Sequence, residues 1–264
     1  MNTITVAWFS GGVSSAVAVK LMIEQIDLIM YQHIDDQHKD TMRFVQDCEA
    51  WFGKPVQVTQ SPLKCVENAC RQLVYINGPG GAACMRLLKI RERKQWEAEN
   101  RFFCTFRYIW GMDARETMRA ERLRNLMPED DHVFPLIERN LRKCDAHGIL
   151  RKAGIARPVM YDMGYPNNNC VGCVKGGQGY WNKIRRDFPA VFQTRAEMER
   201  VLNRTCLKRE RPDTSRPAGP DNTVRVYLDE LDPQAGRDCE IVLPECGAMC
   251  EAFDSHSLTT EGDG

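Results

Sequence analysis

Apolar and polar positions along the chain follow two alternating rhythms. The run 3–9, TITVAWF, predicts a strand; 14–25 repeats its apolar residues at helical spacing, and 27–34 is strand-like again. The pattern continues with a helix over 40–51, a short strand over 56–59 and a helix over 62–72. A basic helix over 85–100, a strand over 108–111, a helix over 114–125, a strand over 132–135 and a helix over 138–153 complete it. Strands that alternate with helices predict an α/β fold: an open, mostly parallel five-stranded sheet with helices on both faces. Between these elements, 76–84 (INGPGGAAC) is too rich in glycine for regular structure and reads as a mobile loop. Beyond 153 the rhythm weakens. A turn-rich loop, YDMGYPNNNCVGCVKGGQGYW, precedes helices near 182–187 and 195–203, and 206–236 is polar and proline-rich, which predicts a flexible linker. The expected division is an α/β nucleotide-binding domain over 1–160, a loop and helical extension over 161–205, and a linker with a cysteine-containing tail over 206–264.

Length and charge narrow the picture modestly. A chain of 264 residues can bury a core without disulfide staples. Its 36 basic and 36 acidic residues balance to a net charge of zero, so no overall positive field draws it to nucleic acid or an anionic membrane. No apolar run approaches the roughly 20 residues that span a bilayer, and MNTIT lacks the basic-then-apolar order of a secretion signal. A soluble, cytoplasmic protein without membrane contact is expected. In a reducing compartment, 12 cysteines point to metal or redox chemistry more than to disulfides. A role as small core residues is expected for Cys48, Cys65, Cys70, Cys104, Cys144 and Cys206, because free cysteine is among the most buried residue types.

The turn after the first strand, Ser10-Gly11-Gly12-Val13-Ser14-Ser15, sits where an open parallel sheet binds its ligand. Its glycines let the backbone approach an anion, and the following N–H groups and hydroxyls can donate to it. The segment resembles the phosphate loop, S-G-G-x-D-S, of the adenine nucleotide alpha-hydrolase (PP-loop) superfamily, which includes ATP pyrophosphatases, tRNA thiolases and sulfonucleotide reductases. Ser14 stands in place of the aspartate. After the second strand, HIDDQHKDT resembles the Ile-Asp-Thr-Gly segment of the reductases and puts Asp35 at its aspartate. The plainer reading of Asp35 and Asp36 is a solvated loop or a helix cap. The stretch 110–122, WGMDARETMRAER, falls where the family carries G-x-R-x-x-x-S. There Gly111 and Thr117 match, Asp113 replaces the arginine, and Arg115 is its candidate substitute. For Arg119 and Arg122 an amphipathic surface helix is expected.

The spacing Cys170-Val171-Gly172-Cys173 lets two thiolates reach one metal centre, zinc or iron–sulfur, or form a redox pair. CMRLLKI, 84–90, resembles the CCxxRKV segment of the iron–sulfur-bearing phosphoadenosine-phosphosulfate reductase family. Cys84 matches its first cysteine and Lys89 its lysine, while Met85 stands where the second cysteine would be. The resemblance implies a four-iron four-sulfur cluster on Cys84, Cys170 and Cys173, with one iron left open and a basic neighbour at Lys175. LPECGAMC, 243–250, resembles the E-C-G-[I/L]-H tail of the same reductases, with Cys246 at the nucleophile and Met249 in place of the histidine. In a further option Cys246 or Cys250 completes the cluster.

Together these matches imply a reductase that releases sulfite from phosphoadenosine phosphosulfate or adenosine phosphosulfate. Ser10, Gly11, Gly12, Ser14, Ser15, Asp35, Gly111 and Arg115 would hold the nucleotide, Lys89 and the cluster would polarise the sulfate, and Cys246 would attack. A thiol reductant such as thioredoxin is the implied partner, and a homo-oligomer is expected. Two other readings stand beside it. One is an ATP-dependent sulfurtransferase that thiolates a nucleic acid base through the open iron, with magnesium beside the ATP; Lys183, Arg185 and Arg186 are candidate polyanion contacts. The other is a non-catalytic nucleotide-binding protein, in keeping with the departures at Ser14, Met85, Asp113 and Met249.

Overall fold

The computed structural model describes residues 2–78, 80–101, 104–210 and 223–236. The chain runs β1 (Asn2–Phe9), α1 (Val13–Leu21), β2 (Leu28–His33), α2 (Asp40–Phe52), β3 (Val56–Gln60) and α3 (Val66–Leu73). A hairpin of β4 (Asn77–Gly78) and β5 (Gly81–Ala82) follows, then α4 (Ala83–Met85), which passes through a π-helical stretch, Arg86–Ile90, into α5 (Arg91–Asn100). Next come β6 (Cys104–Ile109), α6 (Thr117–Leu126), β7 (Asp131–Val133), α7 (Pro135–Glu138), α8 (Lys143–Lys152) and α9 (Val159–Asp162). The last elements are α10 (Gln178–Asp187), α11 (Pro189–Leu202), β8 (Leu207–Glu210) and β9 (Thr223–Val226).

Five strands, in the order β3-β2-β1-β6-β7, form one sheet in which every neighbouring pair is parallel. Side chains alternate across it as strand geometry requires. Ala7, Phe9, Ile29, Tyr31 and Ile109 enter a core shared with α1, α2 and α8. Val6, Trp8, Met30, Phe106 and Tyr108 enter a second core with Trp96 of α5 and Leu123 of α6. Helices thus cover both faces, which is why the strands read as unbroken apolar runs. Strand order reverses at β1: the chain moves out to β2 and β3, then returns on the other side to β6 and β7. The crevice at the carboxyl ends of β1 and β6 is the switch point at which open sheets of this kind bind ligands.

Three expectations need correction. The loop expected over 76–84 is the β4–β5 hairpin leading into α4, with Ala83 N–H donating to Ile76 O at 3.0 Å. The single helix expected over 138–153 is broken, because Asn140 takes a left-handed φ of 51° and turns the chain between α7 and α8. The linker expected over 206–236 is ordered in its described parts: β8 pairs antiparallel with β9, and the residues after β9 lie along α10. Arg185 donates to Leu228 O and Leu231 O, and Asn182 to Asp232 O and Ala235 O, at 2.8–3.1 Å. Glu199 of α11, fully buried, accepts the N–H of Leu228 at 2.7 Å and that of Cys206. Composition hides this order because long-range polar bonds supply it. Arg185 is thereby engaged in holding the chain, and Lys183 pairs with Asp187 at 2.7 Å. Among the described residues no helix is long and apolar enough to cross a membrane.

Candidate functional site

At the end of β1, Gly11 adopts φ 75°, a left-handed conformation that glycine takes without strain. The turn is fixed locally: Ser15 Oγ donates to Gly12 O at 2.9 Å, lies 2.8 Å from Ser10 Oγ, and accepts Ser10 N–H at 3.2 Å. It opens α1, whose first N–H groups have no partner within the helix. The N–H of Val13 finds the hydroxyl of Tyr161 at 3.3 Å. Ser14 is 1 % exposed, and its hydroxyl has no hydrogen-bond partner among the described residues. Gly111, just past β6, lies against α1: a Cβ built there would stand 2.7 Å from both N and Cβ of Ser15. Only a residue without a side chain lets the end of β6 come so close. Ser10, Gly11, Gly12, Ser14, Ser15 and Gly111 therefore meet at the switch point.

Two predicted nucleotide contacts stand apart from that group. Arg115 is exposed, and its backbone N–H donates to the Asp113 carboxylate at 2.8 Å. Arg119, expected on a surface, is buried and donates to Glu116 at 2.6 Å, which ties down the first turn of α6. Asp35 is exposed at the rim beyond β2, where it accepts Gln60 Nε2 at 2.6 Å. Its neighbour Asp36 is a helix cap, accepting Val66 N–H at the start of α3 at 2.6 Å, and it pairs with the buried guanidinium of Arg195. Burial pulls the Arg195 ionisation down, but Asp36 more than offsets this and leaves it above the ordinary value.

The cysteines meet one strand further along. Cys84, Cys170 and Cys173 line a single small cavity of about 10 Å³ together with Met85 and Lys89. Its remaining wall is apolar, from Ile34, Val66 and Val174. Tyr180 of α10 holds the C-x-x-C turn, accepting Cys173 N–H at 2.8 Å and donating to Cys170 O at 3.3 Å. From the other side Val171 N–H donates to Asp36 O at 2.8 Å, and Arg195 Nε reaches Gly172 O at 3.4 Å. Met85 is completely buried, and the ammonium of Lys175 lies 3.2 Å from its sulfur. Lys89, 6 % exposed, belongs to the π-helical stretch, a local irregularity often found at functional sites. Its carbonyl accepts Gln32 Nε2 at 3.0 Å.

Two residues lie between the loop 10–15 and this cavity. Tyr31 of β2 touches Gly11, since a Cβ there would lie 3.1 Å from its ring. Burial raises the ionisation of the Tyr31 phenol, with Lys89 opposing and Cys170 adding to the rise, and its hydroxyl donates to Gln37 Oε1 at 2.7 Å. Asn168, two residues before Cys170, donates from its amide to Gly11 O at 2.8 Å. The sequence names neither residue. The Asn-Asn-Asn run ahead of the C-x-x-C is a visible signal, because three asparagines in a turn are ordinarily solvated, whereas all of 167–169 are buried here.

The remaining cysteines divide. Cys48, Cys70 and Cys104 are core residues, and burial pushes the Cys70 thiol up to about 12, well away from the thiolate form. Burial and the Glu199 carboxylate likewise raise Cys206. Cys144 overturns its core assignment and is exposed on α8. Cys246, Met249 and Cys250 lie outside the described residues. A larger open cleft of about 500 Å³, bordered by Cys144, His147, Arg151 and Arg157, holds none of the predicted site residues. Among the described residues no three His, Cys, Asp or Glu side chains are placed to hold a single metal ion. In comparison with known proteins, the chain matches no protein-family model and no curated protein.

Proposed function

We infer that this chain is a sulfonucleotide reductase-like enzyme, with a PP-loop nucleotide site beside a three-thiolate iron–sulfur site. The observation that carries the reading is the convergence of Cys84, Cys170, Cys173 and Lys89 on one apolar cavity that Tyr31 and Asn168 join to the phosphate loop. The thiols of Cys84, Cys170 and Cys173 border one small cavity, and these are the residues that would hold a four-iron cluster. Met85 supplies no thiolate. A bound cluster would supply polarisable iron and sulfide beside the sulfate, and Lys89 would supply the positive charge.

The chain's own residues would then act in sequence. N–H groups of the loop and of α1 hold the nucleotide phosphate. Lys89, in an apolar wall where charge is poorly screened, draws on the sulfonyl oxygens. The Cys246 thiolate attacks sulfur: an S–S bond forms, the S–O bond breaks, and the adenosine phosphate leaves with the electron pair. A dithiol such as thioredoxin then attacks the cysteine sulfur of this thiosulfonate, sulfite leaves, and the two electrons come from oxidation of the dithiol to a disulfide. Ser14, sealed from solvent and lacking a carboxylate, supports a loop that grips its anion without magnesium. The second reading, an ATP-dependent sulfurtransferase acting on a nucleic acid base, draws on Met85, which leaves one iron open.

Anaerobic protein supplied in parallel with phosphoadenosine phosphosulfate, adenosine phosphosulfate and ATP plus tRNA separates these readings. Sulfite release that requires a dithiol and is abolished in Cys246→Ser is expected. ATP turnover with sulfur gained by tRNA replaces this reading with the second, and nucleotide binding without turnover leaves a non-catalytic protein.

A further inference from the structure

The phosphate loop, 10–15, carries no cation of its own. On its β6 side the crevice carries charges of both signs. Asp113 and Glu116 fold together over the start of α6, Arg119 is bonded to Glu116, and Arg115 is exposed. A ligand bearing two or more negative charges is held best where a cation meets it, and one approaches from the other side. Leu141 O accepts the N–H of Ala114 at 2.8 Å, which brings the start of α8 over the β6–α6 loop. Lys143, the first residue of α8, is half-buried, and its ammonium donates to the side-chain oxygen of Asn167. That ammonium also lies 5.8 Å from the ring centre of Tyr161, the residue whose hydroxyl accepts the first N–H of α1. Asn168, adjacent to Asn167, holds Gly11 O. Lys143 is thereby tied to both ends of the loop, through the asparagine pair at Gly11 and through the tyrosine at Val13.

We propose that Lys143 is the cation of the nucleotide site, binding a phosphate of an adenine nucleotide that carries two or more charges, with Asn167 and Tyr161 as its positioning residues. The assignment rests on the phosphate-loop reading above and adds the charge that the loop lacks. A half-buried ammonium is screened less than an exposed one, so its attraction to the anion is worth more than a surface contact. Lysine suits a phosphate as a point charge that adapts to several oxygens.

The test is calorimetric binding of adenosine 5′-diphosphate and of uncharged adenosine to the full-length chain. Variants are Lys143→Ala and Lys143→Arg, with thermal unfolding of each as the control for folding. Loss of a charge-assisted contact predicts diphosphate binding about ten- to a hundredfold weaker in Lys143→Ala. Adenosine binding should be unchanged, salt dependence shallower, and Lys143→Arg should recover most of the affinity. Diphosphate bound equally by wild type and Lys143→Ala overturns the role of Lys143 and leaves the loop reading standing. A wild-type chain that binds diphosphate no better than adenosine removes the loop reading, and the proposal with it.

Discussion

A methyl group on Gly111 would have to displace the start of α1, because Ser15 backbone and side-chain atoms already occupy the space. Gly111→Ala is therefore expected to cost about 1–3 kcal/mol of stability, the usual range for overpacking, and to weaken nucleotide binding. Gly148, in the middle of α8, has open space where its Cβ would be. Gly148→Ala should instead stabilise by about 0.5–1 kcal/mol through helix propensity. Urea denaturation of the two variants checks the pair, and equal effects would contradict the assigned packing. These positions also show what a sequence can disclose at this scale. Ser10–Ser15, Gly111 and the three cysteines are readable because each lies in a short motif whose residue types are dictated by local chemistry. Lys143 and Tyr161 are not, because each reaches the loop from a distant segment as a single polar residue with no periodicity around it.

Among the elements, β1, α1 and β2 are legible because burial on both faces leaves continuous apolar runs. The segment following α11 is not, since its order comes from Asn182, Arg185 and Glu199 on helices that precede it. The break between α7 and α8 escapes notice for a similar reason: Asn140 carries it by conformation, within a stretch that remains helical in its spacing. Glu199 gives this region a pH signature. Burial raises its carboxyl above the ordinary value of 4.5, against the N–H donors of Cys206 and Leu228, which lower it. The folded chain then retains a proton that the unfolded chain loses first. The stability Glu199 contributes is fully present below about 4.5 and declines as pH rises through its folded value. Glu199→Gln, permanently neutral, should lose less stability than the parent between pH 4.5 and 7, whatever its starting value. Urea midpoints across that range measure the two slopes; identical slopes would show that the group does not titrate as its burial requires.

For the molecule as a whole, the parallel sheet places two chemistries side by side. The loop 10–15 lies at the switch point between β1 and β6, and the cysteine cavity opens beyond β2, with Ile34 in its wall. Asp36 and Arg195 join the cysteine turn to α3 and α11, so that four separate stretches of chain meet around the thiols. Removing Asp36 would leave a buried guanidinium unpaired, and Asp36→Ala is expected to cost about 3–5 kcal/mol. An Arg195→Leu background should recover part of that loss in a double-mutant cycle read by urea denaturation. The convergence of thiols is the central claim, and metal content tests it most directly. Protein purified without oxygen should hold about four irons and four sulfides per chain and absorb in the visible, and Cys84→Ser, Cys170→Ser and Cys173→Ser should each lose that signal while remaining folded. Iron-free or zinc-loaded protein, or full iron content in those variants, would contradict the account.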